Sequence, residues 1–220
     1  MTIQSNNDYL ALPTSGGGVG VLVLHAWWGL TDFIRSFCNR LAKEGFVALA
    51  PDLFSGKVLR TITEAEQHLS EFDEAHDAPP KVLSALEDLS KRTEVTHKGL
   101  GVVGFSMGAY WALWLAQKRP DLIRAVTVFY GTSDGNFMES KAAFLGHFAE
   151  KDPYETTEGI NILEKKLREA QRPVTFYTYP GTMHWFIEND RADAYHPMAA
   201  QLAWDRTVAF FHQYLDGKPG

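Results

Sequence analysis

The chain has 220 residues, 45% hydrophobic and 22% charged, with a formal net charge of −6. That length and balance predict a single domain over 1–220 with a sizeable core. The negative charge speaks against nucleic acid and anionic membranes as partners, no apolar run reaches a membrane span, and the lone Cys38 rules out an internal disulfide framework and a cysteine metal cluster.

Residues 1–8 are polar and carry neither the basic nor the apolar part of an export leader, so a cytoplasmic protein is expected. A short apolar segment at 9–12 is a candidate edge strand ahead of the Gly16-Gly17-Gly18 loop. From residue 19 onward, strand-like and helix-like segments alternate. Strands are predicted at 19–25, 46–50, 99–105, 125–130, 143–148 and 174–179, most of them near-continuous apolar runs of the kind that both faces of a covered parallel sheet require. Helices are predicted at 32–44, 63–75, 79–92, 107–118, 156–170 and 197–215. Cys38 falls in a helical pattern with Phe33, Phe37 and Leu41 and reads as a packing thiol. Pro79-Pro80 is placed in the first turn of its helix, where proline is tolerated. The acidic stretch 53–78 reads as a surface helix, with a flap over a binding site as the other option. The alternation predicts a three-layer α/β domain whose ligands bind beyond the carboxyl ends of the strands.

The strand at 99–105 runs into Gly104-Phe105-Ser106-Met107-Gly108, a G-x-S-x-G nucleophile elbow between a strand and a helix. Such a turn lifts the Ser106 hydroxyl above the sheet. The flanking glycines are needed where a side chain would strike neighbouring backbone. The Met107 amide, at a helix N-terminus, is then a natural oxyanion donor.

A serine hydroxyl needs a base within hydrogen-bond reach and an acid to orient that base. Of the eight histidines, His68, His76 and His97 precede the elbow in helical or turn segments. His147 lies inside a strand, His196 caps a helix, and His212 is in the last helix. His25 ends the first long strand and could line the site, but it also precedes the serine. His184 follows a strand and a turn at 180–183, where a loop can carry an imidazole over Ser106. Asp152, at the end of the preceding strand, is the leading acid. Asp134 in a Ser-Asp-Gly turn and Glu150 are its rivals. The second oxyanion donor is expected from the loop His25-Ala26-Trp27-Trp28-Gly29-Leu30, at the Trp27 amide. Trp27, Trp28 and Trp185 would then border an apolar acyl or alcohol group, or else belong to the core.

With these residues in place, the chain resembles the dienelactone hydrolase family of α/β-hydrolases from Val21 to the last helix. The likeness is carried by the loop at 25–30, Pro51-Asp52-Leu53-Phe54, the elbow, the segment from Gly146 to Asp152, and Tyr179-Pro180-Gly181-Thr182-Met183-His184-Trp185-Phe186. It implies an α/β-hydrolase fold, a Ser106, Asp152, His184 triad, oxyanion amides at Trp27 and Met107, and no metal or cofactor. Three positions depart from the family pattern. Serine replaces the elbow cysteine, and Ala26 replaces a glutamate that attends that thiol. Glu188 stands where the resemblance implies a substrate-binding arginine, and an acid there would repel an anionic lactone. The expected activity is hydrolysis of a small ester or lactone through an acyl-serine. A thioesterase or amidase with the same triad, or a non-catalytic binding module on this fold, are the alternatives.

Overall fold

The computed structural model describes residues 7–216; residues 1–6, most of the polar N-terminal segment, lie outside it, as do 217–220. The sheet is built from β1 (Tyr9–Ala11), β2 (Gly20–Leu24), β3 (Val47–Ala50), β4 (Leu100–Phe105), β5 (Ile123–Phe129), β6 (Ala143–Lys151) and β7 (Val174–Met183). Its strand order is β1-β3-β2-β4-β5-β6-β7. Only β1 runs antiparallel to its neighbour, β3. The helices are α1 (Asp32–Lys43), α2 (Ile62–Glu71), α3 (Glu74–Lys91), α4 (Met107–Lys118), α5 (Thr157–Glu169) and α6 (Pro197–Leu215).

Successive side chains of a strand point to opposite faces. Val21 and Val23 of β2 therefore join one core layer with Phe37 of α1 and Phe211 of α6, while Leu22 and Leu24 join the other with Leu86 of α3, Leu113 of α4 and Leu163 of α5. This is the expected three-layer arrangement. Cys38 is fully buried in the first layer, where burial pushes its thiol pKa far up and makes it a packing group.

Three local expectations change. The helix placed at 79–92 begins at Glu74, and Pro79 and Pro80 lie inside it. Asp73 caps this helix by accepting the His76 amide, so the start signal is the acidic cap rather than the prolines. The helix expected at 63–75 ends at Glu71; it is α2, opened by a capping box between Thr61 and Glu64. Among its residues α2 buries Ala65 alone, as a surface helix does. The turn expected at 180–183 is instead an extension of β7, with Met183 paired to Lys151 across an irregularity in register. Gly181 has φ +74 there, and its amide donates to Glu150. The bulge carries β7 and β6 further out of the sheet than their apolar runs indicate.

Candidate active site

Ser106 stands between β4 and α4 with φ 51 and ψ −114, in backbone space that non-glycine residues rarely occupy. Two close approaches hold it there. A Cβ on Gly104 would lie 2.1 Å from the Gly108 carbonyl oxygen, and one on Gly108 would lie 2.2 Å from that of Leu24. Only glycine at both positions lets α4 start against β2 and β4, as the sequence predicts. Tyr130 (φ 38) and Trp185 (φ 66), just beyond β5 and β7, also have positive φ. Three strained residues thus surround one space, each costing on the order of 1–3 kcal/mol.

Ser106 Oγ lies 2.9 Å from His184 Nε2. On the other side of the ring, Nδ1 lies 2.8 and 2.7 Å from the two carboxylate oxygens of Asp152. A carboxylate only accepts, so Nδ1 carries the hydrogen and Nε2 is free to accept from the serine. Asp152 Oδ1 also accepts the amides of Tyr154 and Glu155, at 2.9 and 3.0 Å. The side chains of His184 and Asp152 are 2% and 3% exposed, so water does not compete for this pair. Neither rival acid comes near the imidazole: Asp134 is exposed and pairs with Lys166, and Glu150 holds Gly181.

The loop from β2 to α1 carries the Trp27 amide, which donates to no acceptor among the described residues. The Met107 amide opens α4, where backbone donors have no intrahelical partner. Rings crowd the imidazole: Tyr130, Trp185 and Tyr154 have centroids 4.7, 4.8 and 4.9 Å from it. Trp27 packs against Trp28, Tyr154 and Trp185 at 5.4, 5.5 and 5.8 Å. Trp28 is 1% exposed beneath the Arg191 guanidinium, 3.8 Å from its ring, so it supports the cluster from inside. Trp27 and Tyr154 keep exposed surface at its rim. Tyr154 carries no cue in the sequence beyond its place two residues after Asp152; Tyr130 and Arg191 come to the cluster only through folding.

Glu188 is 1% exposed and accepts the Tyr130 hydroxyl at 2.6 Å. Burial pushes its pKa up to about 8, against the Tyr130 hydrogen bond, with Asp190 raising it further and Arg191 lowering it. Its carboxyl is therefore mostly protonated at neutral pH. The side chain is enclosed and bound to the Tyr130 hydroxyl rather than open to solvent.

Among the described residues, no group of three or more His, Cys, Asp or Glu side chains could hold a metal ion. Nor, among the described residues, is any helix long and apolar enough to cross a membrane. A strained serine alcohol, an oriented imidazole, a buried carboxylate and two free amides together can attack a carbonyl carbon and hold the charge that develops on its oxygen.

The model of the dienelactone hydrolase family matches residues 7–215. "Protein usf" of Aquifex pyrophilus is 36% identical over 94% of this chain and 93% of its own. A protein of Aquifex aeolicus named "Putative carboxymethylenebutenolidase" is 32% identical, again over 94% and 93% of the two chains. The crystal structure of a dienelactone hydrolase-like promiscuous phosphotriesterase, P91, from metagenomic libraries superposes with a TM-score of 0.84 at 20% identity, covering 94% of this chain and 92% of that one. At that identity the likeness speaks for the α/β-hydrolase fold alone.

Proposed function

The chain belongs to the dienelactone hydrolase family of hydrolases, and from that premise we propose that it is a serine hydrolase that cleaves small esters or lactones through an acyl-serine intermediate. The observation that carries this reading is the unbroken line of hydrogen bonds from Asp152 through His184 to Ser106. His184 Nε2 takes the hydroxyl proton as Ser106 Oγ attacks the acyl carbon. Asp152 holds the imidazole in the required tautomer and stabilises its positive form. The Trp27 and Met107 amides receive the oxyanion, each contributing ~3 kcal/mol to lowering the barrier. His184 then returns the proton to the leaving alkoxide. Water, deprotonated by the same nitrogen, releases the acid and restores Ser106. No metal or cofactor enters these steps.

The aromatic rim of Trp27 and Tyr154, backed by Trp28 and Trp185, suits an apolar acyl or alcohol group. Glu188, neutral at pH 7 and enclosed, offers no positive charge to anchor an anionic lactone. The family's name, and the butenolide in the name of the Aquifex aeolicus relative, support a lactone among the substrates. The lone buried Cys38 supports a cytoplasmic setting. The test is a panel of p-nitrophenyl esters, neutral lactones and acyl thioesters. Wild type turns over at least one of these classes and Ser106→Ala none, with circular dichroism unchanged. Equal turnover by the two proteins would reject the reading.

A further inference from the structure

His25 takes no part in the proton transfers above, yet it is among the most enclosed groups of the molecule, fully buried at the end of β2. Its two ring nitrogens have different partners. Nδ1 lies 2.6 Å from the carbonyl oxygen of Ala26, and Nε2 accepts the Leu53 amide at 3.2 Å. A carbonyl only accepts and an amide N–H only donates, so the two partners fix one tautomer, with the hydrogen on Nδ1. Burial drives the pKa down to about 4, which keeps the ring in that neutral form near pH 7. The edge of Phe54, 5.0 Å away, holds the ring plane.

The Ala26 carbonyl shares a peptide unit with the Trp27 amide. In a trans peptide, C=O and N–H point in opposite directions. Drawing the carbonyl toward His25 therefore turns the amide hydrogen away from it. The Gly29 amide, 3.2 Å from the same oxygen, adds a weaker pull. We propose that His25 is a positioning residue that aims the Trp27 amide at the oxyanion, referencing it to the turn at Leu53 through its second nitrogen. This rests on the serine-hydrolase reading for its catalytic consequence but not for its geometry.

Two substitutions separate the ring's two bonds. His25→Asn places an amide N–H near the position of Nδ1, keeping the donor to Ala26 and losing the Leu53 bond. His25→Gln reaches the position of Nε2, keeping the acceptor for Leu53 and losing the donor. With p-nitrophenyl acetate, kcat falls roughly 10-fold or more in His25→Gln and less than about threefold in His25→Asn, with KM within about twofold of wild type in both. Inhibition by a trifluoromethyl ketone, whose serine adduct bears an oxyanion, weakens in step with kcat. The Trp27 amide resonance of 15N-labelled protein, which needs no turnover, moves in His25→Gln and holds in His25→Asn, while that of Met107 stays in place. Equal kcat in the two variants, or an unmoved Trp27 resonance in His25→Gln, overturns the proposal. A lowered melting temperature with kcat retained would make His25 structural only. A wild type inert toward every ester, in which the Trp27 resonance still follows residue 25, would sink the hydrolase reading and leave the aiming of the amide intact.

Discussion

Two imidazoles, His147 and His184, are each at most 2% exposed, flanked by aromatic rings and hydrogen-bonded at both nitrogens. They differ in their partners. In the centre of β6, His147 meets only neutral hydroxyls. Thr207 Oγ1 donates to the Ala203 carbonyl, so it accepts from His147 Nε2, and His147 Nδ1 accepts from Tyr179, which accepts from Arg206. Every hydrogen in this chain of bonds is assigned, and burial lowers the His147 pKa to about 3. At the sheet's carboxyl edge, His184 has a carboxylate behind it and a serine hydroxyl in front. Burial alone makes a histidine a neutral pin. Burial beside a carboxylate fixes the hydrogen on Nδ1 and leaves Nε2 facing the Ser106 hydroxyl.

The sharpest break in that comparison is Asp152→Asn, which leaves the ring in place but no longer dictates its tautomer. Hydrolysis should fall roughly 10⁴-fold with little change in melting temperature; a fall below tenfold would remove Asp152 from the proposed relay. His147→Phe should do the reverse. It takes the acceptor from the Tyr179 hydroxyl and the donor from Thr207 Oγ1, which keep their bonds to Arg206 and Ala203, and costs about 2–4 kcal/mol in urea unfolding, with kcat within about threefold of wild type. A large kcat loss at unchanged stability would tie His147 to the chemistry after all.

The next effect is read in pH. His25 and His147 have folded pKa values of about 4 and about 3, below their ordinary 6.5. Their stabilising contribution is complete above 6.5 and is lost as pH falls toward those values, because the unfolded chain takes up the protons. Glu188 has a folded pKa of about 8, above its ordinary 4.5. Its contribution is complete below 4.5 and is lost as pH rises toward 8. Each group changes stability by at most about 1.4 kcal/mol per pH unit within its window. From these three groups, stability should peak near the ordinary histidine value of 6.5. Glu188→Gln should flatten the alkaline side of the peak when melting is followed across pH; an unchanged profile would mean that Glu188 is already ionised at neutral pH. The smallest effect belongs to Asp134→Asn, which disrupts an exposed pair with Lys166 and should leave turnover and melting at wild-type values. A loss of turnover there would reinstate Asp134 as a candidate acid.

Much of the site was legible because its constraints are local. The spacing of Gly104 and Gly108 around Ser106 records two backbone collisions, and the apolar runs before Asp152 and His184 place both at strand ends. Asp134 and Asp152 both follow strands, and the turn around Asp134 and the place of Asp152 before the histidine strand favoured Asp152; β6 and β7 running on past their apolar stretches bring it to the imidazole. The beginning of α3 departs from the expected one because Pro79 and Pro80 are stronger punctuation in the sequence than the Asp73 cap. The character of Glu188 was illegible for a different reason. Its charge depends on enclosure by Tyr130, 58 residues away in the chain, and sequence does not carry dielectric environment. The same holds for His25, whose partner Leu53 is 28 residues distant.

The left-handed backbone at Ser106 has a consequence for how such a chain can age. Glycine would sit there without strain, so Ser106→Gly should fold more firmly than the native protein while losing the hydroxyl. A lineage relieved of its reaction would find the more stable residue a short mutational step away. By keeping a side chain where the fold itself would prefer none, this sequence carries a standing burden that folding alone gives no reason to retain.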